Sequence, residues 1–119
     1  MSDKQASKQS RIVVLISGSG SNLQAIIDSC QNQQINAEVA MVISNRPNVF
    51  GLQRAEQAGI ANECIDHKEF DSREAFDQAL SDRLKELNPD LIVLAGFMRI
   101  LTPEFVTNFL GKLVNIHPS

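Results

Sequence analysis

The chain has 119 residues, 43% of them hydrophobic and 21% charged, with a formal net charge of −3. That is enough for one domain with a real core, and it is an ordinary soluble composition. The acidic balance, with no basic block, argues against a nucleic-acid or anionic-membrane partner, and no apolar run reaches bilayer-spanning length.

Residues 1–10 are polar and lack the apolar segment of a signal peptide, so they are expected to form a flexible leader before a domain at 11–119. Residues 12–16 (Ile-Val-Val-Leu-Ile) are an unbroken apolar run, read as a strand buried on both faces. A helix should follow the glycine-rich stretch, with Leu23, Ile26, Ile27 and Cys30 on one face and Ser21 with Gln24 as a capping box. Residues 39–43 repeat the strand pattern. Residues 51–58 read as a short helix stopped by Gly59, and 62–65 as a weaker strand. Phe76, Ala79, Leu80, Leu84 and Leu87 form a helical stripe, with Asp71 and Glu74 placed as caps and Pro89 beyond its end. A third strong strand covers 91–95. Pro103 opens a helix through Leu110, closed by Gly111, and 113–116 form the last strand. The order β-α-β-α-β-α-β-α-β predicts an α/β fold with a doubly wound, mostly parallel sheet and right-handed crossovers.

In such sheets ligands sit at the carboxyl ends of the strands. Three polar segments fall there. Ser17-Gly18-Ser19-Gly20-Ser21-Asn22 leaves the first strand and enters a helix, a place where free backbone N–H groups can hold a phosphate. As a dinucleotide fingerprint it is incomplete. Leu23 stands where the third glycine belongs, and Ser44-Asn45-Arg46 replaces the ribose-binding acid. No Gly-Lys-Ser/Thr marks a Walker loop. A monophosphate grip and a ligand-free tight turn both remain open. Gly96-Phe97-Met98-Arg99-Ile100-Leu101 has two readings as well: a slot for a flat organic ligand, or apolar side chains packed in the core beside a solvated Arg99. Asn115 and His117 share a face of the last strand by alternation. A carboxamide that donates to an oxyanion and an imidazole that moves protons suit attack on a carbonyl carbon. His67, in a charged loop, reads as structural. Cys30 and Cys64 lack CxxC or Cys/His spacing and read as buried free thiols in a reducing, cytoplasmic setting, without a metal site.

Together, the segments 17–24, 95–101 and 115–119 (Asn-Ile-His-Pro-Ser) resemble the phosphoribosylglycinamide formyltransferase family, in family order and spacing from about Arg11 to Ser119. The resemblance implies a Rossmann-like formyltransferase fold and transfer of a formyl group from 10-formyltetrahydrofolate, as cosubstrate, to the amine of glycinamide ribonucleotide in purine biosynthesis. Carried over by motif, Gly20, Ser21 and Asn22 would hold the substrate phosphate. Met98, Arg99, Ile100 and Leu101 would line the folate site, with Arg73 also reaching the cofactor. His117 would be the acid/base, and Asn115 would contact the formyl oxygen and stabilise the tetrahedral intermediate.

The family sets the protonation of its histidine with an aspartate that would lie beyond Ser119. The chain is therefore expected to be the amino-terminal part of a longer enzyme, truncated at the carboxyl end, inactive alone, and with an exposed sheet edge; a homodimer is left open. Four other readings compete. They are a deformylase acting on the same folate, a methionyl-tRNA formyltransferase, a nicotinamide-dependent oxidoreductase, and a non-catalytic phosphate-ligand-binding fragment should the polypeptide end at Ser119.

Overall fold

Apolar runs covered on both faces should become central strands, and they do. The computed structural model describes residues 9–116. Its elements are β1 (Ser10–Ile16), α1 (Ser21–Gln31), β2 (Ala37–Ser44), α2 (Phe50–Gln57), β3 (Asn62–Cys64), a 3-10 turn (His67–Glu69), α3 (Arg73–Leu87), β4 (Leu91–Ala95), α4 (Pro103–Asn108) and β5 (Leu113–Ile116). The strands pair in the order β3-β2-β1-β4-β5, every pairing parallel. From β1 the chain winds outward to β2 and β3, then returns to the other side of β1 for β4 and β5. The order reverses between β1 and β4, where a doubly wound sheet opens a crevice.

Alternation along the strands divides the core into two layers. Ile12, Val14, Ile16, Val42 and Val93 pack with Leu23 and Ile27 of α1 and Ala55 of α2. Val13, Leu15, Ile43 and Ile92 pack with Phe76, Leu80 and Leu84 of α3 and Phe105 of α4. One irregularity keeps β2 in phase. Ile12 pairs with Val39 but Val13 pairs with Met41, so Ala40 is skipped. Without that bulge Val39 and Met41 would share a face; with it, Val39 packs in the first layer and Met41 in the second.

Helix ends depart from expectation where tertiary contact overrides local preference. Ser21 is already helical, and the N-cap position is Gly20, with no side-chain cap. Gln24 does not reach back over the helix start; its side chain binds Asp28 and Arg54 instead. On α3 the cap is Ser72, whose hydroxyl accepts Ala75 N–H at 3.0 Å, and not Asp71; Glu74 does lie in the first turn. Helix α4 ends at Asn108, two residues before the expected Leu110. Strand β1 starts at Ser10, one residue inside the expected leader, because Ser10 N–H bonds to Asn36 C=O. Residues 1–8 of that leader lie outside the described residues.

Neither cysteine is buried. Cys30 is half-buried and Cys64 exposed, since β3 is an edge strand of three residues. Burial pushes both thiols up, and Asp66 and Glu69 push Cys64 further. Among the described residues no helix is long and apolar enough to cross a membrane.

Candidate functional site

The loop after β1 is shaped by α2. Gly20 sits at φ +78°, a region open to glycine, and a Cβ there would come within 2.7 Å of Gly51 Cα. Gly51 is equally constrained: a Cβ on it would run into the Ile16 side chain and approach Gly18 O at 2.9 Å. This glycine pair lets the start of α2 lie against the loop. Gly51 N–H then binds Gly18 C=O at 3.0 Å, and Arg54 Nε donates to Ser19 C=O at 2.7 Å. The Arg54 guanidinium also lies 4.6 Å over the Phe50 ring. A trans peptide points its C=O and the following N–H in opposite directions. With the Gly18 and Ser19 carbonyls turned to α2, the N–H groups of Ser19 and Gly20 point away from it. The first-turn N–H groups of α1, which follow directly in sequence, likewise have no intrahelical acceptors. Ser21 is exposed and Asn22 half-buried at this helix start. The arrangement is a set of donors suited to an anion.

The loop after β4 has its own anchors. Met98 N–H donates to Ser17 Oγ at 2.7 Å, and Thr102 N–H donates to Asp77 Oδ2 at 2.7 Å. Both acceptors are buried, Ser17 at 1% exposure and Asp77 at 3%. Between these pins the side chains divide. Phe97 and Leu101 turn to the second core layer, whereas Met98 and Ile100 stand 76% and 73% exposed. Arg99 is half-buried, its guanidinium 5.1 Å from the centre of the Phe76 ring and its Nε without a partner. The core-packing reading of this loop is thus reversed for three residues: two apolar side chains face solvent and the arginine is drawn in. The cause is the two amide anchors and the cation–π contact with α3. Arg73, the first residue of α3, is exposed one turn before Phe76.

Asn115 lies on β5, beside Leu94 of β4, which in turn pairs with Leu15 of β1. Two strand spacings put its backbone roughly 10 Å from β1. Its side chain is exposed, on the face of the sheet that carries α3 and the Met98–Leu101 loop. His117 lies outside the described residues; β5 runs to Ile116, immediately before it.

Further residues brace the carboxyl ends of these strands. Ser17 Oγ donates to Asn45 Oδ1 at 2.6 Å, and the Asn45 carbonyl accepts His67 Nδ1 at 2.8 Å and His67 N–H at 3.2 Å. From sequence Ser17 is legible only as part of the glycine-rich segment, and Asn45, Gly51 and Arg54 have no assigned role; the polar residue that closes the first apolar run marks Ser17, whereas Asn45 stands one residue past Ser44, which closes the second. His67 is structural, as expected. A cavity of about 440 Å³, lined by Asp77, Ser81, Thr102 and Phe105 among others, lies between α3 and α4 and adjoins the loop at Thr102. Among the described residues no group of His, Cys, Asp and Glu could hold a metal ion.

A donor-rich loop, two exposed apolar side chains and an exposed carboxamide lie at the carboxyl ends of β1, β4 and β5, and the comparison with known proteins decides the family. The formyl transferase family model matches residues 10–119. The chain belongs to the formyl transferase family. It is similar to phosphoribosylglycinamide formyltransferase of Escherichia coli (strain K12), at 56% identity over 108 residues, covering 91% of this chain and 51% of that protein. It is also 56% identical over 114 residues to the trifunctional purine biosynthetic protein adenosine-3 of Drosophila melanogaster, covering 94% of this chain and 8% of that one. The structure of the Coxiella burnetii phosphoribosylglycinamide formyltransferase in complex with CHES matches with a TM-score of 0.89 at 49% identity, over 93% of this chain and 52% of that chain. This formyl transferase chain thus spans about half the length of its bacterial relatives, and its sheet matches the amino-acid pattern that predicted it.

Proposed function

We propose that the protein transfers a formyl group from 10-formyltetrahydrofolate to the amine of glycinamide ribonucleotide. The observation that carries this reading is that three segments lie at the carboxyl ends of β1, β4 and β5: the donor-rich loop before α1, the exposed Met98 and Ile100, and Asn115. Family membership and the names of the relatives support the same reading.

The loop amides with Ser21 and Asn22 would hold the phosphate and thereby aim the distant amine. Met98, Arg99, Ile100 and Leu101 would receive the flat folate, with Arg73 reaching its far end. The amine nitrogen attacks the formyl carbon and a C–N bond forms. Asn115 donates its amide N–H to the oxygen that gains charge, which stabilises the tetrahedral intermediate. His117 takes the proton released by the amine and returns a proton to the folate nitrogen as the old C–N bond breaks. Formyl carbon, proton and electron pairs are then all accounted for without a metal.

Phosphate recognition separates this reading from simple deformylation. In the native protein, an acceptor lacking its phosphate should show at least a tenfold loss in kcat/KM, expressed chiefly in KM. Equal use of both acceptors, or formate release that ignores the acceptor, would contradict the proposal.

A further inference from the structure

The loop after β1 and the loop after β4 belong to different substrates in the reading above, yet one hydroxyl joins them. Met98 N–H can only donate, so Ser17 Oγ must accept from it at 2.7 Å. The hydroxyl hydrogen is then free for Asn45 Oδ1 at 2.6 Å. Asn45 is in turn held by its own N–H to Ile16 C=O at 3.3 Å and by His67 on its carbonyl. The chain of bonds ties the carboxyl ends of β1, β2 and β4 and the turn after β3, and its centre is closed to solvent: Ser17 is 1% exposed and Asn45 2%. Buried polar groups that satisfy one another in this way admit one arrangement, because each lost partner leaves another stranded.

We infer that Ser17 and Asn45 are positioning residues for the formyl-donor slot. They touch neither substrate. Their hydrogen bonds fix the Met98 amide, and with it the exposed stretch from Met98 to Ile100, at a set distance from the root of the phosphate loop. Asp77 pins the other end of the same stretch through Thr102. The inference rests on the function proposed above, since it gives that stretch to the folate.

The test compares Ser17→Ala, Asn45→Ala, the double variant and Asn45→Asp with wild type in the native protein. Steady-state kinetics with each substrate varied, binding of tetrahydrofolate by calorimetry, and hydrogen exchange at the Met98 amide are read together. Ser17→Ala should raise KM for the formyl donor about tenfold, the loss expected for one buried hydrogen bond. KM for the phosphorylated acceptor should stay within twofold, and the Met98 amide should lose its exchange protection. Asn45→Ala should do the same. The double variant should be no worse than either single one, because the residues act in series. Asn45→Asp keeps the acceptor for Ser17 and should restore the donor KM. Equal changes in both KM values, or none with Met98 still protected, would overturn the inference. Should a variant fail to fold, the Asn45→Asp profile and wild-type Met98 protection still decide it. A wild type that binds tetrahydrofolate but transfers no formyl group defeats the function alone, and the binding comparison then decides this inference. One that binds no folate overturns both.

Discussion

Asn115, exposed on β5, and His117 have separable tasks in the proposed reaction. In the native protein Asn115→Ala should lower kcat by about 10²–10³, the usual loss for one oxyanion donor, with donor and acceptor binding little changed. His117→Ala should cost about 10²–10⁴ for loss of the acid/base group. Single-turnover rates alongside equilibrium binding would check both, and a variant with wild-type turnover loses its assigned role. Cys64 offers a test that needs no substrate. Burial and the neighbouring Asp66 and Glu69 disfavour its thiolate, so alkylation by iodoacetamide should titrate with a midpoint above that of free cysteine. A midpoint at or below that of the free amino acid would show that these carboxylates do not face the sulfur.

At the scale of elements, the strands were legible because burial on both faces requires unbroken apolar runs, which are hard to mistake. What escaped the sequence was decided by contacts between elements. Ser21 has the chemistry of a cap, yet Gly20 takes that position because α2 must approach within glycine distance. The skipped Ala40 leaves no mark on an apolar run, since either phase of the alternation looks alike. The Met98–Leu101 loop could not be resolved from composition, because its orientation depends on Ser17 and Asp77, some 81 and 25 residues away in sequence. The glycine pair gives a direct prediction. Gly51→Ala should destabilise by roughly 1–3 kcal/mol as an overpacked contact with Ile16 and the Gly18 carbonyl, and it should weaken phosphate-substrate binding by moving the loop. Chemical denaturation and acceptor KM measure the two effects; a neutral variant would mean that α2 does not set the loop.

On the scale of the molecule, the parallel sheet brings the carboxyl ends of strands nearly a hundred residues apart in sequence to one end. Arg83 of α3 contributes from outside that end: its guanidinium binds Glu63 of β3 through two bonds of 2.8 and 3.0 Å, fastening α3 to the edge strand. Arg83→Ala should cost about 0.5–1 kcal/mol, since both side chains remain about one-third exposed, without changing the kinetics. A change in either KM would mean that this contact reaches the site. Among the described residues the last strand on the other side of the sheet is β5, which carries Asn115 and whose Val114 is 39% exposed. The proposed function is decided by where the formyl carbon goes. The most direct measurement follows a ¹³C-labelled formyl group on tetrahydrofolate by NMR in the presence of the native protein and glycinamide ribonucleotide. The label should move to the glycinamide nitrogen and appear as a formamide carbon, with no movement when the acceptor is withheld. Label that appears as free formate whether or not the acceptor is present would contradict the proposed function.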